Sequence, residues 1–156
     1  MPPFSSEKGL LLRTSGGNRS LAAKAYVERA AALGIDIVLP PASEYTPVQG
    51  QNRTKQTRRA VERTAKWAKE SAEAWAEAGS AGTRPARAQL WACVTGGGDI
   101  TERRRCAQLV HEAGGDALAG FVVTPVPHAA EEGALAEILQ VVASALPAHL
   151  PLMLAA

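Results

Sequence analysis

The sequence is short of the groups that usually announce an active site. It has two cysteines, Cys93 and Cys106, at no dithiol or zinc-ligand spacing. Adding His111 gives three ligands at most, wrongly spaced for zinc, so both thiols read as small buried hydrophobes. His111, His128 and His149 are scattered and read as surface or loop residues. The only aspartates are Asp36, Asp99 and Asp116, and no two are spaced for acid/base work. No serine or cysteine sits in a G-x-S-x-G elbow. Aromatic residues are 4% of the chain, which argues against stacking platforms for bases. A net charge of +2 is too small to require nucleic acid. No apolar run approaches the roughly 20 residues that span a bilayer. Met1 to Lys8 lacks a signal-peptide apolar core and reads as a disordered tail, so a cytoplasmic protein is expected.

What is present is ordinary core material: 156 residues, 46% hydrophobic, enough for one domain. The clearest unit is Leu90 to Glu102. Leu90 to Val94 reads as a buried strand, Gly96-Gly97-Gly98 as a loop, and Asp99 with Glu102 as a capping box. Cys106, Leu109, Val110 and Ala113 then give one helical face, ended by Gly114-Gly115. Such a unit places backbone amides and a helix N-terminus at the carboxyl end of a strand, where α/β proteins bind ligands. It is neither a Walker motif nor a G-x-G-x-x-G fingerprint. On spacing alone a tight turn without ligand is the favoured reading, because glycine loops are common punctuation.

The remaining chain alternates in the same way. Gly9 to Thr14 is a candidate strand, and Ser15 to Asn18 a turn. Ser20 is a candidate N-cap for a helix to about Leu33, with Ala22, Tyr26, Ala30 and Leu33 inward and Gly34 at its end. Ile35 to Leu39 reads as a strand stopped by Pro40-Pro41. Thr54 to about Ala78 is the longest helix, with Val61, Ala65, Ala68, Ala72 and Trp75 inward and Trp67 as a second packing contact. Ala117 to Val123 is a strand, Leu135, Ile138, Leu139, Val142 and Leu146 mark a helix, and Pro151 to Leu154 begins a last strand. The order β-α-β-α-β-α-β-α-β predicts an α/β fold of parallel βα units, either doubly wound or part of a barrel. Five strands and four helices make only part of a (β/α)8 barrel, as a single partial domain over 1–156.

The long helix carries bases early and acids late. Arg53, Lys55, Arg58, Arg59, Arg63, Lys66 and Lys69 precede Glu70, Glu73 and Glu77, against the helix dipole. Contact with RNA phosphates or an acidic partner is one reading. A solvated face laced by Arg58–Glu62, Arg59–Glu62 and Lys66–Glu70 pairs is the other. Arg103-Arg104-Arg105 are read as surface bases paired with Asp99 and Glu102.

Several motifs, in order, carry a family resemblance. Gly34-Ile35-Asp36-Ile37, Glu44-Tyr45-Thr46-Pro47, Arg63-Thr64-Ala65-Lys66-Trp67 and Val94-Thr95-Gly96-Gly97 resemble the queuine/guanine tRNA-ribosyltransferases. Gly97-Gly98-Asp99-Ile100-Thr101-Glu102-Arg103-Arg104 and Ala119-Gly120-Phe121-Val122-Val123 are similar to the eukaryotic accessory subunit of that enzyme. The resemblance runs from about residue 9 to the C-terminus. It implies a (β/α)8 barrel with a zinc insertion, and exchange of guanine at the tRNA wobble position through a covalent glycosyl intermediate on a carboxylate. It also implies that this chain departs from the catalytic pattern. The base-gripping acid falls on Ser43, the base-reading Gln on Thr95, and the first Gly of a later pair on Ala119. The general-base segment would precede Met1, while the nucleophile and the zinc ligands would follow Ala156.

The resulting expectation has no catalytic and no metal residues in this chain. A base-pocket remnant comprises Ser43, Glu44, Thr95, Gly96, Gly97, Gly98, Ala119 and Gly120, with Arg53, Lys55, Arg58, Arg59 and Arg63 as RNA or partner contacts. The resemblance implies an accessory role: heterodimerisation with a catalytic subunit, tRNA as a further partner, zinc only in the full-length family protein, and peripheral association with the mitochondrial outer membrane. A fragment of a catalytic transglycosylase remains an alternative. So does a stand-alone α/β domain binding a phosphorylated metabolite at Thr95–Asp99.

Overall fold

A computed structural model of the chain describes residues 6, 8–45, 53–125 and 132–155. The first element departs from the sequence reading. β1 (Leu10–Thr14) does not start a βα unit but pairs antiparallel with β2 (Gly17–Leu21) in a hairpin, Leu12 opposite Arg19. The Thr14 hydroxyl donates to Gly17 O across the turn, at 2.7 Å. Ser20, expected as a helix cap, lies in β2 opposite Leu11. Both strands are largely exposed, so no apolar alternation was needed to make β2, and none marks it in Gly-Asn-Arg-Ser-Leu.

Helix α1 (Ala23–Ala32) follows directly, with Ala22 as an N-cap that supplies no side-chain bond. Its inward face is Ala23, Val27, Ala30 and Ala31, one position round from the expected stripe. Val27 takes the core position, Tyr26 is half-buried, and Leu33, at the C-cap, is exposed. Gly34 ends the helix at φ +73°, with Gly34 N–H donating to Ala31 O and Ile35 N–H to Ala30 O. This double bond pattern is a Schellman cap, which a glycine at that φ permits.

Four strands then form one parallel sheet, β3 (Ile37–Val38), β4 (Gln89–Val94), β5 (Leu118–Val123) and β6 (Leu152–Leu154), neighbours in sequence order. Between them run α2 (Arg53–Ser80), α3 (Ile100–Gly114) and α4 (Glu132–Ala145). A doubly wound sheet reverses its strand order at a switch point; this one never does. Each right-handed crossover therefore puts its helix on the same face. α2 packs between α1 and α3, and α3 beside α4. The sheet has the winding of barrel units, with four parallel strands rather than the expected five because β1 went into the hairpin.

The core lies between that sheet and its helices. Val38, Leu90, Ala92, Val94, Phe121 and Val123 meet Val61, Ala68, Ala72 and Trp75 of α2, Cys106 and Val110 of α3, and Ile138 and Val142 of α4. Burying residues such as Leu90 or Phe121 contributes roughly 1.5–3 kcal/mol each. Trp67 is fully buried as well. The register shifts between Leu90 and Trp91, which skips Ala119 and sets Trp91 opposite Gly120. The Trp91 ring lies so close over Gly120 that a Cβ there would come within 2.9 Å of it. Among the described residues, no helix is long and apolar enough to cross a membrane.

Candidate functional site: a glycine loop with an internal ligand

Val94 ends β4, and the chain turns through Thr95, Gly96 and Gly97 before Asp99 caps α3. Gly96 has φ +140° and Gly97 φ +58°. Backbone at these angles strains any side-chain-bearing residue. At Gly96 space is also refused, because a Cβ would stand 2.9 Å from Arg103 N. At Gly97 nothing lies near.

The turn aims two amides at one point, and that point is occupied by the chain itself. Glu44 Oε1 accepts from Gly96 N–H at 3.3 Å and from Gly97 N–H at 2.9 Å. Its other oxygen accepts from the Thr124 hydroxyl, just past β5. Glu44 lies in the loop after β3, so one carboxylate ties together the carboxyl ends of three neighbouring strands. Its side chain remains 31% exposed.

Behind the loop lies Arg103, fully buried. Its Nε donates to Gly97 O at 2.8 Å and Nη1 to Val94 O at 2.8 Å. Nη1 also reaches Thr124 O and Oγ1, and Nη2 donates to Pro125 O at 3.3 Å. Nη2 stands 4.0 Å from Glu44 Oε2. Burial pushes this guanidinium below the usual arginine range, and the nearby Glu44 charge opposes that shift. The fork spreads its donors over carbonyls at two strand ends and in the loop, so the buried charge is met by several acceptors at once.

The reading of Arg103 as a surface base is thus overturned. It falls on the same helical stripe as Cys106, Ala107 and Val110, all buried. Arg105 does pair with acids, with exposed Glu62 at 2.9 Å and with the largely buried Glu102 at 3.2 Å. Those bonds hold the Glu62 carboxyl below its ordinary range, Arg105 first and Arg58 second, with burial opposing. Asp99 caps α3 by accepting from Glu102 N–H at 3.0 Å. The return limb of the expected capping box is absent, since Glu102 is engaged by Arg105 and Asp99 N–H donates to Gly96 O.

The other remnant positions divide in two. Thr95 is fully buried and turned toward the helices. Its hydroxyl lies 3.2 Å from that of Thr64 and 3.5 Å from Cys106 Sγ. Thr64 Oγ1 also accepts from Ser43 N–H at 2.9 Å and reaches Ala60 O at 2.9 Å. Ser43 is buried, and its hydroxyl oxygen accepts from Arg63 Nη1 at 3.0 Å. Ser43, Glu44, Thr95, Gly96 and Gly97 are therefore brought together, with Gly98 exposed at the rim. Ala119 and Gly120 lie at the opposite, amino-terminal end of β5, beside Trp91, away from this cluster. Thr46, Pro47 and His128 fall outside the described residues.

On α2, Arg53, Lys55, Arg58 and Arg59 are exposed, while Arg63 is half-buried against Ser43. Arg58 pairs with Glu62 at 3.3 Å and Lys66 with Glu70 at 4.0 Å. Asp36 is exposed and pairs with Arg87 at 2.7 Å. His111 is half-buried, edge-on to Phe121 with ring centroids 6.1 Å apart. Cys93 is half-buried with Sγ 3.7 Å from Pro40 O, and burial, then the Cys106 and Glu44 charges, push its thiol up to about 11. Among the described residues, no three His, Cys, Asp or Glu side chains gather as a metal site.

Neither Glu44 as the loop's ligand nor Arg103 as its backing was read from the sequence. Glu44 is 52 residues from Gly96, and no local pattern links them. Arg103 carried a signal, its place on the apolar stripe. A search of the curated proteins gives no match. Residues 3–156 match the family described as Queuine tRNA-ribosyltransferase, and the chain belongs to that family.

Proposed function

We propose that this chain is an accessory, non-catalytic portion of a queuine tRNA-ribosyltransferase, which supports exchange of guanine for queuine at the tRNA wobble position by pairing with a catalytic subunit. Family membership supports the tRNA-transglycosylase setting. The observation that carries the accessory role is the state of the glycine loop. Its two convergent amides are taken by Glu44. By the family resemblance, a base-gripping acid and a base-reading Gln would stand at Ser43 and Thr95. Here Ser43 is spent on Arg63, and Thr95 on Thr64 and Cys106. A nucleobase would have to displace the chain's own side chains to find a polar partner, which costs the full set of bonds they make.

The exposed bases Arg53, Lys55, Arg58 and Arg59 offer a surface for tRNA phosphates or for the partner. Zinc belongs, on this reading, to the catalytic partner and the full-length family protein. The compartment is the cytoplasm, with peripheral mitochondrial outer-membrane association following the family. The rival of a phosphorylated metabolite at Thr95–Asp99 is disfavoured by the same carboxylate, which fills the loop with negative charge.

The test is co-purification with a catalytic subunit, followed by labelled-guanine incorporation into tRNA. A stable complex whose incorporation exceeds that of the catalytic subunit alone is expected. Failure to associate, with or without tRNA, contradicts the proposal.

A further inference from the structure

α2 has a neighbouring helix on each side within this chain, α1 and α3. Its outer face is a stripe of charge. Lys55, Arg59, Glu62, Lys66 and Lys69 recur at i, i+4, i+7, i+11 and i+14, and all five are exposed. The buried stripe, with Val61, Thr64, Ala68, Ser71 and Trp75, runs down the opposite side. With Arg53, Arg58 and Arg63 included, seven bases and one acid stand between Arg53 and Lys69. The whole chain is only +2, so the rest of the molecule is net acidic. No acid stands in the first turn of α2, an order that the helix dipole disfavours.

The structure sorts these bases. Arg63 is turned against Ser43. Glu62 leans off the stripe to Arg105 at 2.9 Å and Arg58 at 3.3 Å, so the one acid is spent on arginines beside the face. Lys66 meets Glu70 at 4.0 Å with both side chains exposed, a weak pair. Arg53, Arg59 and Lys69 are in no ion pair among the described residues.

We propose that this face docks on the sugar-phosphate backbone of a base-paired RNA stem and is held by phosphates without reading bases. The stripe from Arg53 to Lys69 covers roughly 24 Å of helix axis. Exposed cations at intervals along a helix suit a polyanion whose charges also repeat, and such contacts position a protein without specifying sequence. A protein interface would need apolar or aromatic anchors at its centre. None of the seven large hydrophobic side chains left exposed lies on α2. Unpaired bases would need stacking platforms, and Trp67 and Trp75 of α2 are both buried. A duplex, recognised by shape and backbone, needs neither. The inference deepens the tRNA setting proposed above and rests on it for the identity of the polyanion.

The experiment is fluorescence-anisotropy titration of a short labelled RNA duplex with the 156-residue chain alone, over a salt series. One phosphate each for Arg53, Arg59 and Lys69 gives a log–log salt slope of about −2.7 or steeper, a loss of at least about fortyfold between roughly 50 and 200 mM salt. Arg59→Gln and Lys69→Gln should each lower that slope by about one, on every duplex sequence alike. Glu62→Gln removes the only acid on the stripe and should tighten binding, a sign that a damaged fold would not produce. Arg87→Gln loses the same single charge beside the amino-terminal end of β4 and should leave the slope unchanged. Circular dichroism checks that each variant is folded. No catalytic subunit is present, so failure strikes this face and leaves pairing with that subunit to its own test. Four results overturn the proposal: no duplex binding at low salt, a slope indifferent to Arg59 and Lys69, a single strand bound more tightly than the duplex, or poly-glutamate bound as tightly as RNA. The last would assign the face to an acidic protein.

Discussion

Removing the Glu44 carboxylate tests the internal-ligand account most sharply. In Glu44→Ala the Gly96 and Gly97 amides and the Thr124 hydroxyl lose a charged acceptor. Buried Arg103 loses the carboxylate 4.0 Å away but keeps its carbonyl partners. Hydrogen bonds to charged groups are worth about 1.5–3 kcal/mol each. Three do not sum here, because Glu44 is 31% exposed and water can enter the vacated space. A net loss of about 2–3 kcal/mol is the reasonable figure. For a chain of this length that is a fall in Tm of roughly 5–10 °C. Glu44→Gln keeps an oxygen for one glycine amide and should lose about half as much. Thermal and urea unfolding of the three proteins measure the series. An alanine variant within about 1 °C of wild type would refute the idea that this carboxylate holds three strand ends together.

Two further outcomes follow from the same geometry. Gly96→Ala should cost more than Gly97→Ala in urea unfolding, because only Gly96 adds a backbone clash to an unfavourable φ; the Gly97 variant should lose about 1 kcal/mol. Cys93, with its thiol at about 11, should react with a disulfide reagent at pH 8 roughly two hundredfold more slowly than an unperturbed thiol, by thiolate fraction alone; a rate like that of the denatured chain contradicts the placement.

Where local periodicity decides structure, the sequence was readable. The run Leu90 to Val94, the cap at Asp99, the stripe through Cys106 and Val110, and the long face Val61–Trp75 all depend on neighbours within about two turns. β2 was missed because an exposed strand carries no alternation. The α1 face was misplaced by one residue, since alanines at 22, 23, 30 and 31 give two nearly equal stripes. The site was legible only as a list. Ser43, Glu44, Thr95, Gly96 and Gly97 do meet, but what each does there is set by partners 11 to 80 residues away. Arg103 shows the general difficulty: a charged letter reads as surface until the carbonyls it serves are in view.

The most direct measurement is labelled-guanine incorporation into tRNA by the purified chain with no partner added. A loop filled by its own glutamate, with Ser43 and Thr95 spent on internal bonds, predicts incorporation no higher than in a reaction without protein. Turnover by this chain alone, lost on mutation of Glu44 or Thr95, would contradict the account.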